Sequence, residues 1–227
     1  MDRDCHQTSA HLFLHLLRIT WDLGRTTRRM SLHRGFLPED ASCQDDGGRT
    51  LQTRHAVERS AARRPDLLAE PTHDALARAG LLEQVGVVEI DPSLSDTAAT
   101  QQEFGLQPDW LANCVVVGGK REGNERLAAC VVLADSRADI NGVVKRLLDV
   151  RKASFLTVDR AVGLTGMEYG GITPIGLPAE WPVLVDRRVI ETEIVVLGSG
   201  VRRSKILVPG SLLGRLPHVE IIDGLAA

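Results

Sequence analysis

The stretch 165–176, TGMEYGGITPIG, is the part of this chain best suited to chemistry: four glycines, one proline and a single charge in twelve residues. Glycines let the backbone approach a ligand closely or take φ > 0, and Pro174 fixes one corner. Main-chain N–H groups can then be held toward an ester or phosphate oxygen, which stabilises an oxyanion without a side chain. Taken by itself, the stretch also reads as a sharp surface turn between sheet elements. The usual side-chain machinery is missing: there is no GxSxG elbow, no HExxH, no Walker loop and no Cys with a downstream His in a recognisable arrangement. Cys5, Cys43, Cys114 and Cys130 have no CxxC spacing, which points to free thiols in a reducing compartment. His11 and His15 stand at i, i+4 without a third ligand, and His218 reads as a surface residue. No metal and no cofactor is expected. Lys120, Arg121 and Arg126 are candidates for phosphate contact, on a segment that also reads as an ordinary charged hairpin tip.

These residues need elements to position them, and the pattern supplies such elements only after residue 65. Periodicity predicts a helix over 73–82, a buried strand over 85–90, and a helix over 93–105 capped by Ser93 or Ser95 and stopped by Gly105. Two Val-rich strands, 113–117 and 127–134, flank the polar Gly-rich segment 118–125 and suit an antiparallel hairpin. Ile140, Val143, Val144, Leu147 and Leu148 mark an amphipathic helix over 139–150, capped by Asp135 or Ser136 and packed on a sheet. Strands follow at 183–186, 193–197, 205–208 and 219–222, with a short helix starting at Pro209. The order does not repeat as βαβ, so the fold class is α/β of the α+β type, with a mixed rather than doubly wound sheet.

Residues 1–65 lack a sustained period and read as a poorly ordered, Arg-rich extension, with one marginal helix over 10–19. The domain is expected over 66–227. The apolar run 11–19 is too short to span a bilayer and lacks signal-peptide features, so a cytoplasmic protein without membrane contact is expected. Net charge is −3, divided as +3 over residues 1–64 (11 basic, 8 acidic) and −6 over the rest (16 basic, 22 acidic). Bulk charge therefore announces no DNA partner, and any nucleic-acid contact must be local. Aromatic residues are only 4% of the chain, so few are available for nucleobase stacking.

The segment 165–176 resembles the signature loop of the YbaK/EbsC and prolyl-tRNA synthetase editing-domain family, whose pattern includes a GxxxP turn, here Gly170 to Pro174. The Val-rich hairpin, the helix after it, the run 151–154, Asp186 at a strand end and Gly198-Ser199-Gly200 agree in order, so the resemblance covers about residues 71–225. It implies a mixed, barrel-like β-sheet flanked by helices. It also implies hydrolysis of the ester between an amino acid and the terminal adenosine of a mischarged tRNA. In that family water attacks, helped by backbone donors of the glycine loop and the vicinal ribose hydroxyl.

Carried onto this sequence, the catalytic set is Gly170, Gly171, Thr173, Pro174, Asn113 and Lys205. Thr165, Gly166, Met167, Tyr169, Asp186, Gly198, Gly200, Lys120 and Arg121 form the substrate-binding set. Met167 and Tyr169 would form one wall of the amino-acid pocket, and Asp186 would order it. Two positions depart from the family: Asn113 replaces a lysine before the first hairpin strand, and Lys205 stands where many members carry an acid. If both line one pocket, Lys205 restores the cation and Asn113 still donates a hydrogen bond.

The expected activity is freestanding trans-editing, since the remaining chain holds no room for a synthetase catalytic domain. Beside it stand a catalytically silent member that binds aminoacyl-tRNA ends or a synthetase, and a regulatory module sharing only the fold.

Overall fold

The computed structural model describes residues 59–226, together with a short antiparallel pairing of Cys43–Gln44 with Thr50–Leu51. The chain divides into two compact units, Met1–Ala56 and Val57–Ala227. The helix expected over 10–19 and the His11/His15 pair lie outside the described residues.

The second unit runs through strand β1 (Arg59–Ser60), helix α1 (Glu70–Ala79), strand β2 (Gly86–Glu89), helix α2 (Thr97–Phe104) and the hairpin β3 (Ala112–Arg121) and β4 (Asn124–Leu133). A π-helical turn, Ile140–Val144, leads into the short helix α3 (Lys145–Leu147), followed by β5 (Ala153–Phe155) and α4 (Val158–Thr165). The chain closes with β6 (Val183–Asp186), α5 (Arg187–Glu191), β7 (Val195–Gly198), β8 (Ser204–Val208), α6 (Gly210–Leu213) and β9 (Val219–Ile222).

One sheet has the order β1-β2-β8-β7 and is antiparallel throughout. The other, β9-β6-β4-β3-β5, is mixed: β6 runs parallel to both β9 and β4, and β3 is antiparallel to β4 and β5. A parallel bridge between Leu111 and Val196 joins the sheets and gives the barrel-like form. Side chains alternate across a strand, so the apolar run of β4 serves two layers. Ala129, Val131 and Leu133 join the core with Val87, Leu197, Ile206 and Val208 from the other sheet. Ala128, Cys130 and Val132 face Ile140, Val144 and Leu148 of the helical segment.

Several boundaries differ from expectation for identifiable reasons. Helix α1 starts at Glu70, because Pro71 is tolerated in a first turn, and stops at Gly80 in the left-handed conformation. The cap of α2 is Asp96, whose Oδ1 accepts from the Ala98 and Ala99 amides; Ser93 belongs to a separate 3-10 turn capped by Asp91. The amphipathic helix is capped by Asp139, not Asp135 or Ser136, and opens with the π turn. That wider turn keeps Ile140, Val144 and Leu148 against the sheet. The segment 118–125 is mostly strand, and the hairpin turns on Glu122 and Gly123, both at positive φ, which suits a tight two-residue connection.

Ahead of residue 66, Arg59 and Ser60 pair with Val87 and Gly86, and Ala61 is fully buried with its amide on the Val85 carbonyl at 2.9 Å. A chain starting at Val57 is therefore expected to melt like the full chain. One starting at residue 66 should fold but melt lower by about 2–8 °C, the effect of losing ~1–2 kcal/mol of pairing and burial. Identical melting of the two truncations would show that β1 contributes nothing.

Candidate functional site

Strand β8 lies between β2 and β7, with Lys205 opposite Val88 and Gly198. Ile206 and Val208 enter the core, so the strand's period of two sends Lys205 to the other face. Lys205 is only 7% exposed there, and its Nζ donates to the Ser95 carbonyl at 2.6 Å. Desolvation pushes its pKa down to about 8, partly opposed by Asp96 and reinforced by Arg202.

Ser95, Asp96 and Thr97 form the start of α2, and the three candidate elements converge on them. The Thr97 hydroxyl donates to Asn113 Oδ1 at 2.6 Å, leaving the Asn113 amide nitrogen without a partner among the described residues. Gly170 sits at φ +83°, where a Cβ would lie 3.0 Å from Ser95 Oγ and 3.3 Å from an Arg202 guanidinium nitrogen. One three-residue segment thus touches Lys205, Asn113 and the glycine loop.

The loop itself is held backbone to backbone. Gly171 donates to the Glu168 carbonyl at 2.9 Å and accepts from the Gly200 amide at 2.7 Å. A Cβ on Gly198 would come within 2.3 Å of the Gly171 oxygen, so these chains meet only because the residue there is glycine. Arg202 clamps the assembly: its amide donates to Glu168 Oε2 at 2.6 Å, and its guanidinium to the Tyr169 and Pro92 carbonyls at 3.0 and 3.2 Å. The Gly171 amide is thereby used inside the protein, whereas those of Ile172 and Thr173 carry no hydrogen bond among the described residues. The Thr173 side chain is fully buried, and its hydroxyl has no partner there either. Pro174 is buried behind it.

Other candidates stand elsewhere or are already occupied. Lys120 and Arg121 lie at the far end of β3, about 23–26 Å along the strand from Asn113 at ~3.3 Å per residue. Arg121 is bound to Asp149 at 2.6 Å, and Arg126 reaches the Leu148 carbonyl and Asp149. Asp186 caps α5 through the Arg188 amide and anchors the Ala226 amide, each at 3.0 Å. Thr165 donates to the Ala161 carbonyl, and Gly166 ends α4 in the left-handed conformation. Met167 is 1% exposed and Tyr169 58%, so the two do not share one wall. Among the described residues no group of three His, Cys, Asp or Glu side chains could hold a metal ion, and no helix is long and apolar enough to cross a membrane.

Ser95, Asp96, Thr97, Glu168 and Arg202 were not evident from the sequence. The only signal was the capping pattern around Ser95, which says nothing of a carbonyl that receives a lysine 110 residues away.

The fold is that of editing-type α/β proteins. A candidate trans-editing enzyme for prolyl tRNA synthetase superposes with a TM-score of 0.58 at 23% identity, covering 68% of this chain and 94% of its own. A hypothetical protein of solved structure superposes with a TM-score of 0.61 at 18% identity, over 70% and 100% of the two chains. A scaffold from computational epitope grafting gives 0.58 at 22%, over 68% and 95%. None of the curated protein sequences matches. The chain belongs to the aminoacyl-tRNA editing domain family, whose model matches residues 91–215, a span that contains Ser95–Thr97, Asn113, the glycine loop and Lys205.

The buried ammonium has a consequence for stability. The folded pKa of Lys205 lies below the usual ~10.4, so between pH 8 and 10.4 the unfolded chain binds more protons, and this residue makes stability rise with pH. Its destabilisation is fully present below pH 8 and gone above 10.4. Burial raises the thiols of Cys114 and Cys130, which acts in the opposite sense at alkaline pH. Comparison with Lys205→Met isolates the lysine: in urea titrations the variant's advantage should shrink by up to ~3 kcal/mol from pH 7.5 to 10.5. A difference independent of pH would contradict a buried ammonium.

Proposed function

We propose that the chain is a freestanding trans-editing aminoacyl-tRNA deacylase that hydrolyses the ester of a mischarged tRNA. The observation that carries this reading is the convergence of Lys205, Asn113 and Gly170 on Ser95–Thr97. It supplies a cation, a free amide donor and a backbone cradle in one place, although Asn113 has replaced the family lysine.

Water adds to the ester carbonyl carbon, and the resulting oxyanion is held by the unengaged amide of the partly exposed Ile172. The vicinal ribose hydroxyl of the substrate helps move the proton. The ribose oxygen then leaves as an alcohol, giving free amino acid and uncharged tRNA. Lys205, charged at neutral pH, offsets the negative charge that develops, and Asn113 donates to the substrate. No side-chain nucleophile is required: packing against the apolar core pushes the Cys114 thiol well above its ordinary range.

The missing family lysine favours one second reading, a silent member that binds aminoacyl-tRNA ends or a synthetase. Purified protein tested against mischarged tRNAs, including non-cognate Cys-, Ala- and Ser-tRNA, separates the two. The deacylase reading expects at least one to be cleared faster than in buffer. Binding with no acceleration for any of them would leave the silent member.

A further inference from the structure

We infer that Tyr169 is the platform on which the terminal adenine of the tRNA stacks, a role that rests on the editing reading above. Tyr169 is 58% exposed, and its hydroxyl has no hydrogen-bond partner among the described residues. The backbone that carries it is fixed on both sides: the Glu168 amide donates to the Gly200 carbonyl at 2.8 Å, Arg202 holds the Tyr169 carbonyl at 3.0 Å, and Gly170 follows at φ +83°. An exposed aromatic ring on an immobilised backbone is pre-organised to bind a flat ligand, because little backbone freedom is lost when the ligand arrives.

Its position selects the ligand. Consecutive Cα atoms are about 3.8 Å apart, so the ring begins one residue from Gly170, which abuts Ser95 beside the Lys205 ammonium. With the ester carbonyl at the amide of Ile172, the next group outward is the ribose, and beyond it the base. Aromatic rings are scarce in this chain, and the other strongly exposed one among the described residues, Phe155, lies on edge strand β5 opposite Val117. That is four residues along β3 from Asn113, or about 13 Å. Of these two strongly exposed rings, Tyr169 is the one beside the glycine loop, against which the base of a bound aminoacyl-adenosine would stack.

The test compares two ester series with the same amino acids: 3′-alanyl, 3′-seryl and 3′-cysteinyl adenosine, and the matching esters of 1-O-methylribose, which lack the base. Stacking on one aromatic ring changes affinity by about five- to 150-fold. The wild type should therefore show a KM lower by such a factor for the adenosine esters, with kcat little changed. Tyr169→Ala should lose that preference and Tyr169→Phe should keep it, with unchanged melting temperatures because the ring is exposed. If Tyr169→Ala keeps the full adenosine preference, the inference fails while the editing reading stands. If Tyr169→Ala instead alters selectivity among alanyl, seryl and cysteinyl groups and leaves the base preference intact, the ring lines the amino-acid pocket and the inference is overturned. Wild-type protein that accelerates neither these esters nor any mischarged tRNA overturns the editing reading and this inference together.

Discussion

Lys205→Ala is expected to lower deacylation about ten- to a hundredfold, and Asn113→Lys in that background to recover part of the loss. A charge-assisted hydrogen bond is worth ~1.5–3 kcal/mol, which converts to a rate factor of that size. The geometry explains the partial repair. Lys205 reaches the carbonyl of Ser95, and Asn113 accepts from Thr97 two residues on, so a lysine at 113 places its ammonium beside the same segment from the opposite sheet. Residues that share a partner in this way couple, whereas unrelated sites give additive effects. Loss of folding is not the expected cause: removing an ammonium buried against a single carbonyl relieves desolvation, so Lys205→Ala should melt no lower than the wild type. A double variant no faster than Lys205→Ala alone would separate the two positions and favour the silent homologue.

Gly170→Val should reduce deacylation by about a hundredfold or more, well beyond its effect on stability. The position holds φ +83°, where an L residue costs roughly 1–2 kcal/mol and a β-branched one is a true outlier. Its Cβ would also press on Ser95 Oγ and Arg202, displacing the segment that receives Lys205 and the clamp that holds Tyr169. Because Gly170 is exposed, the fold can absorb the change by moving the loop. Gly198→Val makes the contrast. There the new Cβ meets the Gly171 carbonyl at 2.3 Å inside a buried strand, and the loss should appear first in folding. Full activity in Gly170→Val would show that the loop is only a turn.

Much of the architecture was legible because it is written in local pattern. The Val-rich apolar run of 127–134, the stop at Gly105 and the Gly-Pro composition of 165–176 each determine backbone behaviour within a few residues. The exchange of Asn113 and Lys205 was also legible as a question about one pocket. The answer was not, since the Lys205 contact with Ser95 spans 110 residues and uses a main-chain carbonyl, which no side-chain pattern encodes. The same limit hid Arg202, whose acceptors at Tyr169 and Pro92 are backbone oxygens from two distant loops. Lys120 and Arg121 illustrate the opposite case. Their basic, Gly-flanked setting suggests phosphate contact, yet a two-residue turn makes the segment a strand, and Arg121 joins Arg126 in holding Asp149. Charge patterns show what a side chain could bind, while strand register decides what it can reach.

The central claim is that the ester is held between the glycine loop and Lys205, and it is tested most directly by a crystal structure of the protein with 3′-deoxy-3′-alanylamino-adenosine, whose amide replaces the labile ester. The expected result is a carbonyl oxygen within hydrogen-bond distance of the Ile172 amide, with the Lys205 ammonium and Asn113 amide turned toward the ligand. An analogue bound at the Lys120–Arg121 end of the hairpin, or away from Gly170 and Lys205, would contradict it.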